Sequence, residues 1–165
     1  MQRRRLLQLG LGSAAVLALA GGVAALWAPG LQGPRLTAGG RRAMGAVARA
    51  VLEGSLPHTD EALNQHLDHL ESLFAAFPPA IQAELQQLMG LLVNAPGRLG
   101  VLGQWRPLEA LDLATLQQQL EGLRRSRLGL RQQVYFALRD LHCAAFFAQP
   151  QSWAALGYPG PRTVG

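Results

Sequence analysis

Apolar residues recur at helical spacing along most of this chain. From residue 37 onward, leucine, valine, methionine and phenylalanine return every three or four positions, so that they share one face of a helix. The alternating β-branched pattern of strands is missing, because threonine, valine and isoleucine are scarce. The pattern predicts an all-α fold in which a single helical bundle of about five helices forms the body of the protein.

Short polar side chains mark where the predicted helices begin. Thr37 caps the first helix, Thr59 the second and Asp112 the fourth, since their oxygens can accept hydrogen bonds from the free amides of the first turn. Pro78 and Pro79 end the second helix and start the third, because proline is tolerated in a first helical turn. The residues expected to face the core along these four helices are Met44, Val47, Val51, Leu63, Leu67, Leu70, Leu73, Phe74, Phe77, Ile81, Leu85, Leu88, Met89, Leu92, Leu113, Leu116, Leu120 and Leu123.

The remaining segments follow from aromatic content and from proline and glycine. A fifth helix over residues 128–148 is the most apolar and most aromatic part of the mature chain, and we expect it at the centre of the bundle. Residues 29–36 are predicted to be a linker and residues 98–111 an irregular crossing between helices. The bundle therefore covers residues 37–148, and residues 149–165 predict an extended C-terminal tail.

A different pattern occupies residues 1–28. Arginines there precede an uncharged, glycine-interrupted apolar run, a layout typical of an export signal rather than of part of a fold. Arg3, Arg4, Leu6 and Leu7 match the twin-arginine pattern of two arginines, any residue and two apolar residues. We therefore expect this signal segment to be recognised by the twin-arginine (Tat) translocase. The similarity to Tat leaders implies that the protein reaches the periplasm already folded.

Two alternatives concern the same leader. Small residues at 18–20 and at 23–25 provide sites for a signal peptidase, but an uncleaved apolar run of about 20 residues would cross a bilayer and tether the chain. Cleavage after Ala20 or Ala25 would exclude the tethered, purely structural protein. Gly10, Gly12 and Ala15 imitate a dinucleotide-binding fingerprint, which we discard because no strand or βαβ unit surrounds them.

Composition and charge narrow the class of partner. All 15 basic residues are arginine, and three of them lie in the leader, which leaves 12 against 10 acidic residues, or about +2. This near balance gives no reason to expect a nucleic-acid partner. A mature chain of about 135 to 140 residues predicts one domain.

The charges are segregated along the sequence. Residues 53–84 contain six acidic residues and no arginine, whereas residues 98–140 contain seven arginines against four acidic residues. Two interpretations stay open: the two halves attract each other within the bundle, or one of them forms a charged docking surface for a partner.

No arrangement of residues predicts catalysis, cofactor binding or a metal site. The sequence lacks a metal-binding cysteine motif, a nucleophile elbow and a phosphate loop. His66 and His69 share the second helix, where helical geometry predicts a partly buried His66 and a His69 at the boundary of the apolar face. His142 and Cys143 are adjacent on the fifth helix and therefore point in different directions. A freestanding exported metal-binding protein or enzyme that uses His66 and His69 is the alternative function.

Cys143 is the single cysteine of the chain, so it has no internal disulfide partner. In an oxidising compartment it is either buried and inert or available for a bond to another chain. We keep both possibilities and regard Cys143 as the candidate for an intersubunit disulfide.

The most specific motif lies at the C-terminus. It combines a paired aromatic, a short polar stretch with proline, a tryptophan, a turn of small residues and a Gly-Tyr-Pro-Gly-Pro run. Its residues are Phe146, Phe147, Pro150, Trp153, Gly157, Tyr158, Pro159, Gly160 and Pro161. This pattern resembles the closing segment of the gluconate 2-dehydrogenase subunit 3 family, the small subunits of bacterial FAD-dependent sugar and polyol dehydrogenases. The Tat leader and the helical body agree with that resemblance.

The resemblance implies an accessory subunit without chemistry or cofactor of its own. In such complexes a large flavoprotein of the glucose-methanol-choline (GMC) class carries the FAD, and a multihaem cytochrome c passes electrons to the membrane. The small subunit carries the Tat leader and escorts the folded flavoprotein. The expected partner-binding residues are Trp153, Gly157, Tyr158, Pro159, Gly160 and Pro161, since tryptophan and tyrosine are enriched at binding hot spots. The alternative for these rings is that they fold back on the bundle.

Overall fold

The structure is a computed structural model that describes residues 28–153 and 157–159. The Tat motif of Arg3, Arg4, Leu6 and Leu7 lies outside the described residues, as do the expected cleavage sites and the tail residues Gly160 and Pro161. The predictions made for those positions therefore stay predictions.

The described part of the chain is predominantly helical, so the predicted all-α class is confirmed. A two-stranded hairpin precedes seven α-helices and one 3₁₀ turn. The elements are β1 Leu31–Gln32, β2 Arg35–Leu36, α1 Ala38–Val51, α2 Asp60–Ala76, α3 Pro79–Val93, α4 Ala95–Leu102, the 3₁₀ turn Leu108–Ala110, α5 Leu113–Arg124, α6 Gly129–Phe147 and α7 Pro150–Trp153. The five expected helices correspond to α1, α2, α3, α5 and α6. Among the described helices, none combines the length and the apolar character needed to cross a bilayer.

The predicted caps begin the helices as expected. The Thr37 hydroxyl accepts a hydrogen bond from the Gly40 amide at 3.1 Å, and the Thr59 hydroxyl accepts one from the Ala62 amide at 3.2 Å. A carboxylate oxygen of Asp112 accepts from the Thr115 amide at 2.8 Å. Each bond satisfies an amide that the helix itself leaves without a partner.

Residues 31–36, expected within a linker, form a short antiparallel hairpin instead. Gln32 pairs with Arg35 across a two-residue turn in which Gly33 has a positive φ of 59°. Leu31 is 1 % exposed and belongs to the main hydrophobic core, and the Leu36 amide donates to a carboxylate oxygen of Glu71 at 3.2 Å. The hairpin is thus a packed part of the bundle, anchored on α2 and α3.

The irregular crossing expected at 98–111 is also more ordered than the sequence indicates. Pro96 lies in the first turn of α4, and Gly103 ends that helix in the left-handed conformation with φ 68°. Asn94 lies at the junction, as the last flanking residue of α3 and the first of α4. Gly97 packs so closely on α3 that a Cβ there would lie within van der Waals overlap of the Leu91 backbone. The glycines therefore permit a tight helix–helix corner.

One continuous core joins the hairpin and all the helices from α1 to α6. Most of the expected core residues are buried, but Ile81 is 39 % exposed on the outer side of α3. The aromatic residues of α6 are also placed differently from the expectation, since Phe136 and Phe147 are 43 % and 37 % exposed. The side of α6 that enters the core carries smaller or polar groups, namely Val134, Leu138, His142 and Ala145.

Candidate functional site

The C-terminal motif forms an aromatic surface at the end of α6. The indole Nε1 of Trp153 donates to the carbonyl oxygen of Phe147 at 2.9 Å, and the Tyr158 amide donates to the carbonyl oxygen of Trp153 at 3.0 Å. The Trp153 and Tyr158 rings meet edge to face with centroids 5.4 Å apart. We call Phe147, Trp153 and Tyr158 the aromatic end.

The tail is therefore folded against the bundle at its start rather than extended throughout. Residues 150–153 form α7, which the sequence did not predict, and Gly157 turns the chain with a positive φ of 67°. Trp153 is half-buried, whereas Tyr158 and Pro159 are exposed. Trp153 thus contacts its own bundle whereas Tyr158 lies on the outside, and the role of these residues in binding a partner stays a prediction.

A pair of buried histidines lies inside the bundle, between α2 and α6. His66 Nε2 lies 2.9 Å from His142 Nδ1, and the two rings are stacked with centroids 5.2 Å apart. His66 is 3 % exposed and His142 is 0 % exposed. His66 is thus more deeply buried than expected, while His69 lies half-buried at the boundary as predicted.

Burial keeps both imidazoles of the pair neutral. It lowers the pKa of His66 to about 4, with a smaller contribution from the nearby His69, and it lowers the pKa of His142 to about 3, with a smaller contribution from His66. One proton lies between the two rings, so the tautomer of one histidine dictates that of the other. His66 Nδ1 and His142 Nε2 are buried without a hydrogen-bond partner among the described residues.

The pair is a weak candidate for metal binding. The described residues contain no group of three or more histidine, cysteine, aspartate or glutamate side chains able to hold a metal ion. A cavity of about 250 Å³ beside α2 is lined by His66 and His69, with Leu56, Phe146 and Ser152 among its other walls. His66 Nδ1 itself is enclosed, so an ion in this cavity has no direct access to that nitrogen.

Sequence reasoning missed the pair because it compared His142 only with its neighbour Cys143. His142 follows Val134 and Leu138 at helical spacing, which places it on the buried face of α6. This position within the apolar stripe is the sequence feature that predicts the burial of His142. The partner, 76 residues away, depends on how α2 and α6 pack.

Cys143 packs beside the pair in a small second core. It is half-buried against Ala48, Leu52 and Leu56, with Phe146 on the same cluster. Burial raises the pKa of the Cys143 thiol, which lowers the fraction of reactive thiolate at neutral pH. The intersubunit disulfide stays a prediction.

Acidic side chains of the segment 53–84 form ion pairs mainly with arginines of α1. Arg41 Nη1 lies 2.9 Å from an Asp68 oxygen and 2.8 Å from a Glu71 oxygen, so the acidic helix α2 pairs with α1. Arg124, the last residue of α5, and Arg125, directly after it, both pair with Glu121 of that helix. In the described residues the acidic segment thus does not neutralise the arginines of 98–140.

A second, larger cavity follows the surface of α1. It has a volume of about 440 Å³, an apolar floor that includes Leu63 and Leu67, and a rim of arginines with Glu109. Arg41 and Arg42 on that rim are held by carboxylates, the latter by Glu109 at 3.1 Å. We find no arrangement there that indicates a particular ligand.

Comparison with known proteins adds no assignment, since no protein-family model, curated protein or solved structure matches the chain. The resemblance to gluconate 2-dehydrogenase subunit 3 rests on the motifs quoted above.

Proposed function

We propose that this chain is a non-catalytic small subunit that escorts and stabilises a periplasmic FAD-dependent dehydrogenase of the GMC class. The leader would direct both subunits, already folded, through the Tat translocase. The FAD would belong to the large subunit. A multihaem cytochrome c is the further partner that the resemblance suggests. Oxidation of the sugar or alcohol is assigned to the flavoprotein.

The observation that carries the proposal is the aromatic end. Tyr158 is 49 % exposed and Phe147 is 37 % exposed, and both lie beside Trp153. Exposed aromatic rings that are adjacent and already fixed in position lose little conformational entropy on binding. Tryptophan and tyrosine also contribute large contact areas at binding hot spots. The surface therefore suits a protein partner better than solvent.

The hydrogen bonds of Trp153 support a rigid presentation. Its indole is tied to the carbonyl of Phe147, while its own carbonyl accepts from the Tyr158 amide. The Tyr158 ring is thereby directed from a short turn that begins at Gly157. We infer that the turn positions Tyr158 as the projecting contact and that Trp153 acts as its support.

The alternative of a freestanding metal-binding protein or enzyme has less support. His66 Nε2 is engaged with His142 at 2.9 Å, and His66 Nδ1 is enclosed. Of the two histidines that the sequence suggested for this function, His66 and His69, His69 is therefore the accessible one. A single imidazole is a poor metal site.

The test is co-purification from the native host with the tagged full-length chain. We expect a roughly equimolar large protein with a flavin absorbance spectrum. The double variant Phe147→Ser/Tyr158→Ser should recover at least about tenfold less flavoprotein, because two hot-spot aromatics are removed. Leu128→Ser, a matched exposed apolar residue at the other end of α6, is the control and should leave recovery unchanged.

Two outcomes separate the hypotheses. Recovery of the wild-type chain alone and colourless from active material would overturn the subunit role. Undiminished recovery with the double variant would keep the role but reject the aromatic end as its surface. Running the purification with and without reductant tests whether Cys143 forms an intersubunit disulfide. Release of the flavoprotein by reductant alone requires such a bond.

A further inference from the structure

The chain is tied to the bundle where the described residues begin. The carbonyl oxygen of Ala28 accepts a hydrogen bond from Asn94 Nδ2 at 3.1 Å, and Asn94 is itself buried at the junction of α3 and α4. The carbonyl of Pro29 accepts from the Thr37 hydroxyl at 3.0 Å, and that of Gly30 accepts from the Thr37 amide at 3.0 Å. Three consecutive carbonyls are therefore held by the bundle.

Packing adds to these hydrogen bonds. Gly30 lies so close to α3 that a Cβ there would be 2.7 Å from the Met89 Cβ, and the next residue, Leu31, is buried in the main hydrophobic core. Pulling these residues away from the bundle would break the hydrogen bonds and expose the leucine side chain to water. We call residues 28–31 the anchored stretch.

The two cleavage sites expected in the leader differ in their distance from the anchored stretch. Both lie outside the described residues, but the covalent length of the chain limits how far each can be from Ala28. Ala25 precedes Ala28 by three residues, so even a fully extended chain separates the two by at most about 10 Å. Ala20 precedes Ala28 by eight residues, which allows up to about 27 Å.

A peptidase needs several consecutive residues on each side of the bond that it cleaves. It binds its substrate as an extended strand in a cleft, through hydrogen bonds to the substrate main chain. For cleavage after Ala25 that strand would have to include Ala28, whose carbonyl is already engaged by Asn94. Because the Tat route exports proteins already folded, the peptidase meets this obstruction. Cleavage after Ala20 instead leaves residues 21–27 as a spacer between the enzyme and the bundle.

We propose that signal peptidase removes the leader after Ala20 and that the folded bundle shields the bond after Ala25. Water adds to the Ala20 carbonyl carbon and the bond to Gly21 breaks, which leaves a carboxylate on Ala20 and the new amino terminus on Gly21. The small side chains of Ala18 and Ala20 suit the peptidase at this bond. The inference rests on the export signal of the proposed function and adds the position at which that signal is removed.

The first test is the intact mass and the N-terminal sequence of the full chain isolated from the cell envelope of the native host. We expect a single mature form that begins at Gly21. Ala20→Leu places a large side chain at the cleavage position, so we expect at least about tenfold less cleaved chain and an accumulated precursor. A chain that begins at Leu26 is not expected from this variant.

An insertion separates the fold from the local sequence as the cause. In the same variant, an eight-residue glycine-serine linker between Trp27 and Ala28 moves the second bond away from the anchored stretch and leaves the residues around that bond unchanged. We expect the linker to restore cleavage, now after Ala25. The same linker between Gly54 and Ser55, in the exposed turn after α1, is the matched control and should leave the precursor uncleaved. Circular dichroism checks that each variant keeps its helices.

Several results would overturn the proposal. A wild-type chain that begins at Leu26, or that keeps its leader, would show that the anchored stretch does not select the site. A chain from Leu26 in the Ala20→Leu variant would show that the second bond is accessible in the folded protein. A precursor that stays uncleaved with the linker before Ala28 would show that the local sequence, not the fold, blocks this bond. Each readout is the mass of this chain alone, so failure here is distinguishable from failure to recover the flavoprotein.

Discussion

His66 Nε2 and His142 Nδ1 approach to 2.9 Å inside the bundle and join α2 to α6 through a single shared proton. Both rings are neutral near pH 7 because burial disfavours the charged imidazolium. The pair is the main polar contact between two helices whose other buried residues are mostly apolar. Its consequence is a fold whose stability depends on pH.

The first prediction concerns acid. An unfolded chain binds a proton at each histidine near its ordinary pKa of about 6.5, whereas the folded chain does so only at about 4 for His66 and about 3 for His142. The stabilisation is therefore complete above about pH 6.5 and is lost as pH falls towards these values. We expect the free energy of unfolding to fall by up to about 1.4 kcal/mol per pH unit for each histidine over this window.

Urea unfolding measured at several pH values checks this dependence. His69→Ala is the control, since it removes a half-buried histidine of the same helix. The double variant His66→Leu/His142→Leu should flatten the pH dependence. A wild-type stability that stays constant between pH 6.5 and pH 4 would contradict the neutral pair.

The second prediction separates the two partners. His142→Leu alone leaves His66 Nε2 without its partner in a buried position, which costs about 1 to 3 kcal/mol of folding free energy. Replacing both histidines by leucine removes the unsatisfied group and should restore most of that loss. A double-mutant cycle on the free energy of unfolding measures the coupling. Additive losses from the two single substitutions would show that the imidazoles do not interact.

Some of this structure follows from local sequence rules and some does not. The starts of α1, α2 and α5 depend on one capping side chain each, which is why Thr37, Thr59 and Asp112 could be located in advance. A cap and the amide it satisfies lie within three residues of each other. Such features are encoded locally and survive whatever the helices pack against.

The features that were missed depend on tertiary packing or on very short elements. The strands β1 and β2 are two residues long each, too short for an alternating pattern to appear. Pro96 and Gly97 are residue types that usually interrupt helices, yet proline suits the first turn of α4 and glycine allows that helix to approach α3. The His66–His142 contact and the burial of Arg98 require the relative placement of whole helices.

The third prediction concerns Arg98, which is 5 % exposed and whose guanidinium holds the loop of Trp105 and Arg106 against the end of α3. Arg98→Met removes the hydrogen bonds to the carbonyls of Leu92, Val93, Trp105 and Arg106. The buried carbonyls lose their donor, so we expect a loss of about 3 to 5 kcal/mol in the free energy of unfolding. Arg125→Met is the matched control on an exposed arginine and should change stability by less than about 0.5 kcal/mol.

Hydrogen exchange reports on the loop between α4 and the 3₁₀ turn, which carries Trp105 and Arg106. In an Arg98→Lys variant, a single ammonium cannot reach all four carbonyls at once, so the amides around Trp105 should exchange faster than those in α5. Equal protection of the loop in wild type and variant would show that Arg98 does not hold it.

The fourth prediction compares two glycines that lie within helices. A Cβ at Gly40 in α1 would collide with the carbonyl oxygen of Gly30, whereas a Cβ at Gly122 in α5 meets nothing within 4 Å. Gly40→Ala must displace the segment before β1 from α1, and we expect a loss of at least about 2 kcal/mol. Gly122→Ala should instead stabilise the protein by about 0.5 to 1 kcal/mol, since alanine restricts the unfolded chain and favours helix. Thermal unfolding of the two variants beside the wild type measures the expected loss of stability in one and the expected gain in the other. A neutral or stabilising Gly40→Ala would mean that the Gly30 carbonyl does not lie against α1 as closely as the structure has it.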